Sequence, residues 1–268
     1  MASVEAPRWL ALLDTLNPQT LEILCELIAT HLRPERVTFD QAVRLAASRP
    51  LPVARLGFIW LKTKSVAGEA ECRALLGLAE AEAEPLRADM VRWARGLLSG
   101  SPHFQTDWVL EYLDSRHADV RAEGWAWLQE EARAREDVTL WRRLLESPYD
   151  DVRLGLVADL ESRVARRDRV PTEREGLDPE LVRYLWASVL LNVHRGNRAK
   201  PVVVRQLVRR LERRPEEAGV LLPILSVALR SVRGPEWRAG LAGVVQLAER
   251  GPELAGAVRQ AFPELKLL

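Results

Sequence analysis

Apolar residues recur along this chain at steps of three and four. Val53, Gly57 and Leu61 make one row, and Leu86, Met90, Ala94 and Leu97 a second. Val120, Gly124 and Leu128 make a third, and Val152, Leu156, Leu160 and Val164 a fourth. Such spacing puts each row on one face of a helix. Each row opens on a phrase built around an arginine, at Arg55, Arg87, Arg121 and Arg153, so that the phrases stand 32, 34 and 32 residues apart. The closest copies are Asp119-Val120-Arg121 and Asp151-Val152-Arg153. A further copy, Glu236-Trp237-Arg238, lies 85 residues beyond the last, with Arg183 and Arg205 as degenerate members between. A period of this length is the mark of stacked helical pairs. The fold class expected is all-α, an α-solenoid of about six to seven antiparallel helix pairs.

The punctuation agrees. Asn17-Pro18-Gln19-Thr20 and Thr38-Phe39-Asp40-Gln41 are helix starts, with a capping side chain before the first apolar residue. Pro50, Pro85, Pro102, Pro148, Pro201, Pro235 and Pro252 lie near other expected starts, where a missing amide hydrogen costs little. Gly57 and Gly124 lower helix propensity but let a neighbouring helix come close. No alternating strand pattern of any length competes. One domain over 1–268 is expected: capping helices over 1–34, regular repeats over 35–165, and degenerate repeats carrying a basic segment over 166–268. Residues 166–179, with Pro171, Gly176 and Pro179, read as the longest loop.

Composition narrows the function classes. A chain of 268 residues with 47% hydrophobic and 29% charged residues can bury a large core. Lys+Arg 39 against Asp+Glu 38 leaves a formal charge of +1, which removes the whole-molecule field of a dedicated polyanion or membrane-surface binder. Any charge-led function must be local. Cys25 and Cys72 stand far apart in apolar helical settings, without a disulfide framework or zinc spacing, so a reducing cytoplasm is the expected location. Val220–Leu229 is too short and too interrupted to cross a bilayer, and no membrane contact is expected.

The strongest charge signal is in 183–214, where Arg183, Arg195, Arg198, Lys200, Arg205, Arg209, Arg210, Arg213 and Arg214 face one acid, Glu212. Arg195, Arg198 and Lys200 lie in an expected loop, and Arg205, Arg209 and Arg213 continue along one helix face. Guanidinium groups so placed fit carboxylates or phosphates. The opposite sign gathers at Glu69, Glu71, Glu80, Glu82, Glu84 and Asp89. Nine tryptophans are many for a chain with four Phe and three Tyr. Trp60, Trp93 and Trp127 recur on related faces, which is the pattern of packing between repeats. Trp125 and Trp127, two positions apart, cannot both point inward, and Trp125 is the candidate aromatic anchor.

Chemistry-bearing motifs are sparse. His31, His103, His117 and His194 are scattered, and no metal-ligand spacing, nucleophile elbow, P-loop or dinucleotide fingerprint occurs. Neither a catalytic residue nor a cofactor is expected.

An Asp-Val-Arg turn followed by small residues and Leu, recurring at 32 to 34 positions, resembles the HEAT repeat, and especially its short bacterial variety related to phycobilisome-lyase-like repeats. The resemblance is best over 115–160. It implies that Asp119, Arg121, Asp151 and Arg153 brace successive turns. It also implies a non-catalytic scaffold or adaptor, holding another protein in the concave groove of the repeats, within a larger bacterial complex. The residues expected to meet an acidic protein partner are Arg195, Arg198, Lys200, Arg205 and Arg209, with Trp125. The alternative is nucleic-acid binding along 183–214. The family also admits an all-HEAT DNA glycosylase, for which Asp107-Trp108 or Asp159 would be offered, and a bilin lyase, for which neither cysteine has a distinctive setting.

Overall fold

A computed structural model describes residues 6–15, 17–169, 179–192 and 198–265. Those residues are mostly helical with no strand among them, the all-α class that the periodicity predicts. They form two compact units, Met1–Asp137 and Val138–Leu268.

The first unit runs α1 (Ala6–Ala11), α2 (Pro18–His31), α3 (Phe39–Ala46), α4 (Leu51–Lys62), α5 (Glu69–Leu76), α6 (Glu84–Ser99), α7 (Asp107–Leu113), α8 (Ala118–Glu130) and α9 (Ala132–Arg135). Helices α3/α4, α5/α6 and α7/α8 pack as pairs. Each first helix also contacts the next first helix, α4 contacts α6, and α6 contacts α8. The second unit runs α10 (Val138–Leu145), α11 (Asp150–Arg169), α12 (Pro179–Leu191), α13 (Lys200–Arg213), α14 (Ala218–Leu229), α15 (Gly234–Arg250) and α16 (Pro252–Ala261). Here α10/α11, α12/α13 and α14/α15 pair, with the same contacts between like helices, and α16 lies on α14 and α15. The start signals hold: Asn17 Oδ1 accepts from the amides of Gln19 and Thr20, and Thr38 and Gln41 close a capping box.

The turns between paired helices reveal the true register. The Ser115 and Ser147 hydroxyls accept the amides two residues on, and Ser231 does the same for Arg233. Six residues after the turn position an arginine reaches back to its carbonyl: Arg121 Nη1 donates to Ser115 O at 2.9 Å, Arg87 Nη1 to Ala81 O at 3.1 Å, and Arg153 Nη2 to Ser147 O. Arg87 also donates Nε to Asp119 at 3.0 Å, tying one pair to the next. The bracing expected of Arg121 and Arg153 is thus backbone bracing.

Counting from Ser48, Ala81, Ser115, Ser147 and Ser231, the sixth places are Ala54, Arg87, Arg121, Arg153 and Trp237. Arg55 and Arg238 therefore stand one place outside the repeat they seem to announce, and both are exposed. Trp60, Trp93 and Trp127 all become twelfth residues. Trp60 and Trp127 are buried, and Trp93 is half-buried edge-on to Phe58 with ring centres 5.5 Å apart. Neither degenerate arginine marks the middle repeat. Aligned by helix starts, α13 puts buried Val203 in the sixth place and stands 34 residues before α15, so the extra length falls between α11 and α13.

Ninth places set how close the paired helices come. A Cβ on Gly57 would lie 2.2 Å from Ala46 N and 2.6 Å from Leu45, twelve residues upstream; on Gly124 it would lie 2.7 Å from Tyr112 Cβ, again twelve upstream. Glycine there is a steric requirement, as the sequence predicts. Gly96, exposed in the last turn of α6, meets nothing within 4 Å. Accordingly Gly124→Ala should destabilise the fold by about 1–3 kcal/mol through overpacking, whereas Gly96→Ala should stabilise it by about 0.5–1 kcal/mol through helix propensity. Urea unfolding of the two variants checks both signs.

Candidate functional site

Two spacings shape the basic segment: the step of the α13 helix, and the reach of carboxylates that are distant in sequence. Lys200, the first residue of α13, is only 3% exposed. Its Nζ lies 3.3 Å from Glu236 Oε2 on α15, and the Ser231 hydroxyl donates to the same carboxylate oxygen. Lys200 therefore belongs to an internal clamp and not to the exposed set predicted for a partner. Glu236 sits in the fifth place of its repeat, where Val53, Val120 and Val152 are buried. A buried charge there needs a partner, which Lys200 supplies.

Further along α13, Arg209 donates Nη1 to Glu161 on α11 at 2.6 Å, and that carboxylate also accepts from Gln206 Nε2 at 2.9 Å. Gln206 is itself fixed by the Trp186 indole N–H and by Val157 O. Arg210 and Arg214 close on Glu217, and the Arg210 hydrogen bond holds the Glu217 carboxyl below its usual range. Arg183 pairs with Glu180. The nominal charge of the segment is thus largely compensated.

Arg213 has an interaction of its own, and among the described residues Arg205 and Arg198 remain. Both are exposed, and neither has a carboxylate partner among the described residues. Arg205 and Arg209 are one helical turn apart on α13, and Arg209 is half-exposed beside Glu161. Arg195 and His194 lie outside the described residues, as does most of the expected 166–179 loop. Trp125 is half-buried while Trp127 is 1% exposed, so of the two it is Trp127 that packs inward. Trp127 stands edge-on to Tyr112 with ring centres 5.1 Å apart. Trp125 belongs to the first unit and the arginines to the second.

The acidic cluster is closed in part. Arg116 reaches Glu80 at 3.0 Å and Glu82 at 3.7 Å, and Arg73 holds Glu69 at 2.8 Å. Asp107 is exposed while its neighbour Trp108 is buried, and Asp159 is 4% exposed. Cys25 and Cys72 are free and buried, and burial pushes the Cys25 thiol up. Burial and the Arg87 guanidinium hold the His117 imidazole below its usual value. Among the described residues no cluster of three metal-ligating side chains occurs, and no helix is long and apolar enough to cross a membrane.

The sequence pattern missed a second exposed group, around the α14–α15 turn. Val232 is 99% and Trp237 44% exposed, and Arg230 and Arg238 beside them are exposed too. The signal that would have found it is the serine-based register, which puts Trp237 and not Arg238 in the sixth place.

No family model, curated protein or solved structure matches the chain.

The Lys200–Glu236 clamp carries a stability prediction. Lys200→Met leaves a buried carboxylate unpaired and should cost about 3–5 kcal/mol, while Lys200→Met combined with Glu236→Leu should recover most of it. Thermal unfolding of the single and double variants separates these outcomes.

Proposed function

We propose that the chain is built of HEAT-like α-solenoid repeats, acts as a non-catalytic scaffold and holds an acidic protein partner. The recurring turn geometry and the contacts between like helices support the HEAT-like part of this reading. Repeat arrays of this kind offer extended surfaces suited to holding other molecules.

The observation that carries the partner's chemistry is the uncompensated pair Arg198 and Arg205, with Arg209 one turn further along α13. Most other cations of the segment are engaged by Glu161, Glu180, Glu217 or Glu236. Exposed guanidinium groups without a carboxylate of their own are available to one on a partner. A cytoplasmic adaptor within a larger bacterial complex is the setting this reading implies.

Few phosphates would be met by so short a row, which favours carboxylates over a nucleic-acid track. The triple reversal Arg198→Glu, Arg205→Glu and Arg209→Glu should abolish co-purification of an acidic protein from the native host while leaving the circular dichroism unchanged. Retention of that protein contradicts the proposal. Binding of labelled duplex DNA, falling by roughly 0.9 logarithmic units per tenfold salt for each phosphate met, would instead support the nucleic-acid reading.

A further inference from the structure

The sixth place of the repeat varies along this chain, and in two repeats buried Ala54 and Val203 fill it. At Arg87, Arg121 and Arg153 that place holds a guanidinium folded back on the turn carbonyl. At Trp237 it holds an indole that is 44% exposed. Trp237 cannot make the arginine's bond to the carbonyl of Ser231 with the same geometry. The turn is braced instead from beneath, by Ser231 and Lys200 on the Glu236 carboxylate. The buried clamp lies directly beside the exposed residues in sequence: Val232 follows Ser231, and Trp237 follows Glu236. It therefore fixes the backbone that presents them and ties it to the start of α13.

Val232, 99% exposed, and Trp237 put an aliphatic and an aromatic side chain in solvent five positions apart across this turn, with exposed Arg230 and Arg238 close by in sequence. Arg238 Nε donates only to Gly234 O at 3.2 Å, and neither arginine has a carboxylate partner among the described residues. Tryptophan and arginine on a rigid backbone are the residue types that dominate binding energy at protein interfaces. The charge fixes the occupant's sign and the apolar pair fixes its character. Valine has no π-face on which a nucleobase would stack, so the pair fits an alkyl side chain better than a single-stranded nucleic acid.

We infer that the α14–α15 turn, through Trp237, Val232, Arg230 and Arg238, docks an acidic segment of another protein that carries a central apolar side chain. The inference rests on the acidic-partner reading above and moves that partner's apolar anchor from Trp125 to Trp237.

The test uses the full chain and two labelled synthetic peptides, one of glutamates around a central leucine pair and one with serines replacing the leucines, followed by fluorescence anisotropy. Wild type should bind the leucine peptide the more tightly. Trp237→Ser should weaken that binding by about tenfold or more, the size of a hot-spot loss. Val232→Ser should weaken it less, and Arg205→Glu should weaken both peptides alike. If Trp237→Ser and Val232→Ser bind as wild type does while Arg205→Glu loses binding, the acidic-partner reading stands and this turn is not its site. If wild type binds neither peptide, both readings fall. A labelled single-stranded oligonucleotide bound more tightly than the leucine peptide, and lost in Trp237→Ser, overturns the inference in favour of base stacking.

Discussion

The separation between the two helices of a pair is the constraint on which the rest of the structure depends. At Gly57 and Gly124 the backbones come so close that no side chain fits, and the contact falls on residues twelve positions upstream in both cases. A contact at constant sequence distance requires a turn of constant length. At Gly124 the serine that accepts an amide and the arginine that returns to the turn carbonyl supply it; at Gly57 Pro50 and Ala54 stand in those places, and the Ser48 hydroxyl donates to Leu45 O instead. Aromatic rings then fill the space three residues further on, as Trp127 does against Tyr112 and Phe104. Turn, approach and ring are one arrangement seen at three places along the helix.

Charge follows from that frame. Where the fifth place holds valine, the seam between neighbouring helices is apolar; where it holds Glu236, the seam needs Lys200, and a cation that the sequence offers to solvent is withdrawn into the interior. The turn around Glu236 has then been released from the arginine brace, and Trp237 stands exposed in the arginine's place. The buried clamp and the exposed indole are neighbours in sequence and opposite in exposure, and the proposed docking edge depends on both.

Much of this is legible in the sequence. The three-and-four spacing predicts the helices, the caps at Asn17 and Thr38 their starts, and Gly57 and Gly124 the close approaches. The arginine ruler goes astray by one residue at Arg55 and Arg238, because an arginine beside the right place looks the same in sequence as one in it. The serine six residues earlier is the better marker, since it reports the turn itself. Charge was the least legible property. Lys200 meets Glu236 and Arg209 meets Glu161 across 36 and 48 residues, and a local tally of signs sees neither carboxylate. For the same reason the segment's apparent excess overstates what a partner would meet.

Hydrogen exchange on the full chain, with and without the leucine-bearing acidic peptide, tests the central claim most directly. The account predicts added protection in the amides from Arg198 through Arg209 and from Arg230 through Gly240, with α2 to α8 unchanged. Protection confined to the first unit, or no change anywhere under conditions where the peptide is bound, would contradict it.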